Sequence, residues 1–146
     1  MPDPAAHRRL IERFWDTLYV DRDLDRVGEF FAEDGHYEDV PAPDSGADGP
    51  RNIAARIRIG HEPVEAFEHH VQRMVCEGDT VVTEHAETWK WHTGESVSLP
   101  FVSIHVIRDG KIALWRDYWD MGTLLNAAPK WWLEHIMKHS QADFGD

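Results

Sequence analysis

Arg108-Asp109-Gly110-Lys111-Ile112-Ala113-Leu114-Trp115-Arg116-Asp117-Tyr118-Trp119-Asp120 reads as a tight turn, a strand and an acidic strand end. Asp109-Gly110 supplies the turn, because Gly tolerates the positive φ that a hairpin needs. Along the strand, Trp115, Asp117 and Trp119 share one face, and Leu114, Arg116 and Tyr118 share the other. A carboxylate between two tryptophans on one strand face either pairs with a neighbour or sits in surroundings tuned for proton transfer. Upstream, Val64 to Cys76, Thr80 to His92 and Leu99 to Arg108 read as three further strands before Lys111 to Trp119. Glu77-Gly78-Asp79 and Thr93-Gly94 are their turns, which predicts an antiparallel meander.

Helices precede the meander. Leu10, Ile11, Phe14, Trp15 and Leu18 fall at helical spacing and predict a first helix over 4–20. Leu24, Val27, Phe30 and Phe31 predict a second, over about 23–32. His36 to Val40 reads as a short strand stopped by Pro41, and residues 41–50, with three Pro and two Gly, read as a loop. Pro50 suits the start of a third helix over 51–59. Met121 to Ser140 reads as a C-terminal helical segment interrupted near Pro129. The expected fold is α+β in a single domain over 1–146: a cone-shaped, curved antiparallel sheet packed against three N-terminal helices, with a C-terminal helix.

Composition narrows the function. A 146-residue chain with 42% hydrophobic residues and seven Trp can bury a sizeable core. A net charge of −12 argues against nucleic acid and against an anionic membrane surface. No stretch approaches the roughly 20 apolar residues of a membrane span, and Met1-Pro2-Asp3-Pro4 lacks the charged-then-apolar pattern expected of a signal peptide. Cys76 is alone, so a reducing cytoplasm fits.

The order of elements, with Phe31-Ala32-Glu33-Asp34 and Tyr37-Glu38-Asp39-Val40-Pro41 after the second helix, resembles the nuclear-transport-factor-2-like superfamily over nearly the whole chain. Within it, Thr83-Glu84-His85-Ala86-Glu87 and the segment from Gly110-Lys111-Ile112 to Trp115-Arg116-Asp117-Tyr118-Trp119-Asp120 look most like the limonene epoxide hydrolases. Ketosteroid isomerases and SnoaL-like polyketide cyclases share the scaffold. The hydrolase resemblance implies that Asp117 is the base toward water. The family's second Asp, which protonates the epoxide oxygen, and its Arg fall at Glu87 and His85. The family's Tyr-x-Asn pair, which holds the attacking water, falls at Tyr37 and Asp39. The resemblance also implies a homodimer paired through sheet faces.

Three of those positions depart from the family. Its Arg is a permanent cation, whereas His85 takes either charge state near neutral pH. Glu87 sets its carboxyl about 1.5 Å farther from the backbone than Asp would. Asp39 donates nothing when ionised, unlike an amide. Three carboxyls and one His in an apolar pocket cannot all be ionised cheaply, so at least one carboxyl pKa should rise and His85 should tend to be protonated. Asp39 also resembles the base position of ketosteroid isomerase. That family's oxyanion donors would fall at Phe14 and Val102, which cannot donate. The key Asp of the cyclases falls at Asp117 or Asp120.

The expected activity is cofactor-free acid–base chemistry on a small hydrophobic molecule, with Trp89, Trp91, Leu99, Phe101, Trp115 and Trp119 lining the pocket. An isomerase, cyclase or dehydratase acting on a carbonyl compound, or a non-catalytic ligand-binding module, is the alternative. His69 and His70 point opposite ways on their strand, and His105 either approaches the site or sits in the core. His135 and His139 have the spacing of two metal ligands on one helix face but lack the Glu that usually accompanies it, so no metal is expected.

Overall fold

In the computed structural model, which describes residues 3–140, Asp3 caps helix α1 (Pro4–Trp15) by accepting from the N–H groups of Ala5 and Ala6. Met1 and Pro2, part of the stretch read for a signal, lie outside the described residues. Leu10, Ile11, Phe14 and Trp15 form the buried stripe of α1. The predicted first helix changes pitch at its end: Asp16–Val20 is a π-helical turn that buries Thr17, Leu18 and Tyr19.

The predicted second helix is shorter than its apolar pattern. Helix α2 covers Leu24–Val27, a 3₁₀ turn covers Gly28–Phe30, and strand β1 already begins at Phe31 and runs to Asp39. Gly28 explains the early stop. A Cβ there would lie 2.8 Å from the Pro50 carbonyl oxygen, so the turn is pressed against the start of helix α3 (Pro50–His61).

The predicted loop over 41–50 is largely a strand. Strand β2 (Ala42–Asp48) pairs antiparallel with β1, with Tyr37 opposite Ala47 and Asp39 opposite Ala42. It lies at the edge of the sheet, and an edge strand tolerates proline because one row of its N–H groups has no ladder partner.

The meander forms as expected from β3 (Ala66–Glu77), β4 (Thr80–Lys90), β5 (Ser96–Arg108) and β6 (Lys111–Tyr118). Asp109 and Gly110 have φ of 53° and 75°, the two positive values of a hairpin turn of type I′. One feature corrects the antiparallel expectation. The six strands run in the order β2-β1-β6-β5-β4-β3, and β1 lies parallel to β6. This parallel pairing sets Tyr37 beside Trp115 and Asp39 beside Asp117.

The sheet is curved and unclosed, and its concave side holds two apolar cores. One joins the N-terminal helices to Phe31, Tyr37, Ile112 and Trp115. The other joins Trp89, Trp91, Leu99 and Phe101 to Leu124 of α4 (Met121–Ala127) and Trp132 of α5 (Lys130–Ser140). Among the described residues, no helix is long and apolar enough to cross a membrane.

Candidate active site

A cavity of about 240 Å³ lies between the two cores. Strand alternation aims Asp117 into it from β6, between Trp115 and Trp119, and aims Glu87 into it from β4, two residues before Trp89. Tyr37 and Asp39 enter from β1, Tyr19 from the π turn and Arg56 from α3. Of the six expected wall residues, Trp89, Leu99, Phe101, Trp115 and Trp119 line the cavity. Trp91 stands behind the wall, buried against Trp89 and Trp132. A wider groove of about 1090 Å³ runs between α2, α3 and α5, but it holds none of the five expected catalytic residues.

Asp39 accepts from the Tyr37 hydroxyl at 2.7 Å, from Trp119 Nε1 at 2.9 Å and from Arg56 at 3.1 Å. Tyr37 thus binds a carboxylate of its own strand, and Arg56 supplies a cation that sequence reading missed. Arg56 occupies a helix whose buried face is Ile53, Ile57 and Gly60; it falls three residues after Ile53 and four before Gly60, which sets it beside that face, and this spacing was the available signal.

Asp117 is paired differently. Its Oδ1 accepts from Ser103 Oγ at 2.5 Å and from Trp115 Nε1 at 2.6 Å, which leaves Oδ2 for the cavity. Burial above all, then the neighbouring Asp39 charge, holds its carboxyl well above the usual range, against the pull of the Ser103 hydrogen bond. Glu87 is fully buried. Its Oε1 accepts from Trp89 Nε1 at 2.9 Å, while Oε2 has no hydrogen-bond partner among the described residues. Burial pushes Glu87 up to about 7, and the Tyr19 hydroxyl and the Trp89 N–H hold it back. The expectation of a raised carboxyl is therefore met twice.

His85 corrects the expectation of a cation. Burial, with His69 and His105 nearby, pulls it down to about 2, so the ring is neutral. It stands outside the cavity lining. Its Nδ1 is 3.7 Å from Glu87 Oε2, too far for a hydrogen bond, and bonds instead to His69 Nε2 at 3.0 Å. Its Nε2 lies 2.7 Å from Ser103 Oγ. Ser103 was also missed, although it shares a strand face with Phe101 and His105, and that parity was the available signal. His105 is a core residue, stacked on Trp115, with both ring nitrogens unpartnered among the described residues.

The isomerase positions carry no donor. Phe14 is packed in the N-terminal core, and Val102 lies on the opposite face of β5 from Phe101 and Ser103. Asp120 caps α4 through the Thr123 N–H. His135 Nε2 lies 3.1 Å from the Ile59 carbonyl oxygen, and among the described residues no three His, Cys, Asp or Glu side chains form a metal-holding group.

Residues 11–115 match the SnoaL-like domain family. The chain belongs to that family, within the nuclear-transport-factor-2-like superfamily. Among solved structures, this SnoaL-like chain is similar to an LEH-like epoxide hydrolase of M. tuberculosis, at 28% identity over 86% of this chain and 90% of that one, with a TM-score of 0.73. A protein from Jannaschia sp. CCS1 described as a SnoaL-like polyketide cyclase shares the fold at 20% identity, with 88% and 96% of the two chains covered and a TM-score of 0.75. So does a protein of ketosteroid isomerase-like fold from Catenulispora acidiphila DSM 44928, at 19% identity, 80% and 89% coverage and a TM-score of 0.71.

Proposed function

We propose that this SnoaL-like protein is a cofactor-free acid–base enzyme that opens the epoxide ring of a small apolar molecule with water. One observation carries the reading: two carboxyls with raised proton affinity, Asp117 and Glu87, face one tryptophan-walled cavity. In the reactive state Asp117 is ionised and Glu87 protonated. Asp117 takes a proton from water, the water oxygen bonds to an epoxide carbon, and that carbon's bond to the ring oxygen breaks. Glu87, whose Oε1 is held by the Trp89 N–H, delivers its proton to the departing oxygen and a vicinal diol forms. Tyr37 and Asp39, the latter neutralised by Arg56, border the water beside Asp117. The likeness to an LEH-like epoxide hydrolase supports the same chemistry.

Carbonyl isomerisation with Asp39 as base has less support, because Asp39 is already held by three donors, one of them the Arg56 cation. A purely binding role has less support too, because Asp117 is held by a hydroxyl and an indole rather than by an arginine. In the same reading a second copy pairs through the convex sheet face, where Val75, Val102 and Tyr118 are exposed. Sedimentation at micromolar concentration tests that pairing, and a monomer would refute it.

The test of function is a panel of terpene, aromatic and aliphatic epoxides assayed for diol. Asp117→Asn should lower turnover of any substrate by about 10²–10⁴-fold. Full activity in that variant would refute the mechanism, and no diol from any member of the panel would refute the reaction class.

A further inference from the structure

The mechanism above gives no part to Ser103, His85 or His69, yet they join Asp117 in one hydrogen-bonded row. Ser103 Oγ on β5 lies 2.5 Å from Asp117 Oδ1 on β6. His85 Nε2 on β4 lies 2.7 Å from Ser103 Oγ. His69 Nε2 on β3 lies 3.0 Å from His85 Nδ1. Four neighbouring strands each contribute one residue, and the row ends on the edge strand. Ser103 and His85 are fully buried, whereas His69 is half-buried and outside the cavity lining.

We propose that this row carries protons between Asp117 and solvent at the sheet edge, by a route that does not cross the cavity. Ser103, His85 and His69 are positioning residues in this scheme and never touch substrate. The proposal rests on the acid–base reading of Asp117, whatever its substrate. In each turnover Asp117 gains a proton and Glu87 gives one up, and the row offers the Asp117 proton an exit that does not depend on the cavity being empty.

The hydrogens balance. With Asp117 ionised, the Ser103 hydroxyl donates to Oδ1, His85 Nε2–H donates to Ser103 Oγ, and His69 Nε2–H donates to His85 Nδ1. With Asp117 protonated on Oδ1, every hydrogen points the other way. Asp117 then donates to Ser103, Ser103 to His85 Nε2, and His85 Nδ1–H to His69 Nε2, whose own proton now sits on Nδ1. Passing between the two states moves each proton by one bond and admits or releases one proton at His69. Both imidazoles stay neutral and only exchange tautomers.

Their surroundings suit that task. Burial holds His85 down to about 2, with His69 and His105 adding to it, and holds His69 down to about 4, with His70 adding to it. From the N-terminal helical region, Trp15 packs on both rings and Tyr19 stacks on His69. The charges facing Asp117 are Asp39 and Glu87, and Glu87 also faces His85.

The test uses the whole protein without substrate. Nitrogen-15 NMR of labelled histidine reads which ring nitrogen carries the proton, while carbon-13 carboxyl shifts follow Asp117 through its titration. The expected result is that the His85 proton moves from Nδ1 to Nε2 as Asp117 ionises, with one shared midpoint. Ser103→Ala and Asp117→Asn should each fix His85 in a single tautomer, and Ser103→Thr should restore the exchange. A wild-type His85 that keeps one tautomer through the Asp117 midpoint would overturn the proposal, as would the same exchange in Ser103→Ala. This readout needs no turnover, so failure of the epoxide reading and failure of the row are separate results. With a working substrate, Ser103→Ala should lower kcat by about tenfold, part of what acid–base assistance contributes, at unchanged KM, and Ser103→Thr should recover it. An effect confined to KM would count against the row.

Discussion

Replacing Glu87 by Gln separates the electrostatic cost of this site from its chemistry. The side chain is 1% exposed, and its pKa rises from 4.5 to about 7 mainly through burial. A group whose pKa is higher folded than unfolded stabilises the fold fully at low pH, and that share is lost as pH climbs from about 4.5 through about 7. At 1.36 kcal/mol per decade, the loss for Glu87 is about 3 kcal/mol by pH 8, with less than about 1 kcal/mol of it incurred by pH 5. Gln keeps the shape and the acceptor for Trp89 Nε1 but carries no charge. Glu87→Gln should therefore be about 2–3 kcal/mol more stable relative to wild type at pH 8 than at pH 5. Urea unfolding at the two pH values reads this as a midpoint gain of about 1–2 M that appears only at the higher pH. The same variant should lose the proton donor and hence diol formation. An equal stability difference at both pH values would refute the claim that Glu87 is buried against its charge.

Other outcomes follow from the same geometry. Turnover should be bell-shaped in pH, rising as Asp117 ionises and falling as Glu87 loses its proton; a plateau from acid to alkaline pH would remove Glu87 as the donor. Arg56→Met strips the cation from the buried Asp39 and should cost about 3 kcal/mol, with Asp39→Asn in the same chain recovering most of it in thermal or urea melts. Burial holds His61, His69, His85 and His105 at about 3, 4, 2 and 3. The unfolded chain protonates them below about 6.5, so each removes about 1.4 kcal/mol of stability per pH unit as pH falls from there, partly offset by Asp117 and Glu87. His105→Phe fills the same space without unpartnered nitrogens, and urea midpoints between pH 6.5 and 4.5 should fall less steeply for it than for wild type.

What could be read from the chain divides along a physical line. Features set by neighbours in sequence were legible. Asp109-Gly110 fixed a hairpin, and strand parity put Trp115, Asp117, Glu87 and Trp89 on the inner face. Features set by distant pairing were not. The Pro and Gly content of 41–50 reads as loop until β1 is present to make it an edge strand. The parallel register of β1 on β6 leaves no local trace, so the adjacency of Asp39 and Asp117 could not be derived from spacing. Depth was the other blind spot. His85 looks like a candidate cation beside carboxyls, but its charge is decided by Trp15, Phe101 and two further histidines that surround the ring. Arg56 was missed although its spacing from Ile53 and Gly60 sets it beside the buried face of α3, because its partner Asp39 lies on a distant strand.

The insertion of β6 between β1 and the rest of the sheet has a consequence for how the protein is made. A chain emerging from the ribosome can form its N-terminal helices, the β1–β2 hairpin and β3–β5 from contacts already synthesised. Asp39 acquires its neighbour only when Trp115 to Tyr118 arrive, almost eighty residues later, and that pairing has the long loop-closure entropy of a non-local contact. Until then Asp39 and Glu87 can remain hydrated, and the cost of burying three carboxyls together falls due at one late step. Assembly of the acid–base cluster and completion of the fold are therefore a single event, and a pH jump during refolding should act on the final phase and leave the early ones untouched.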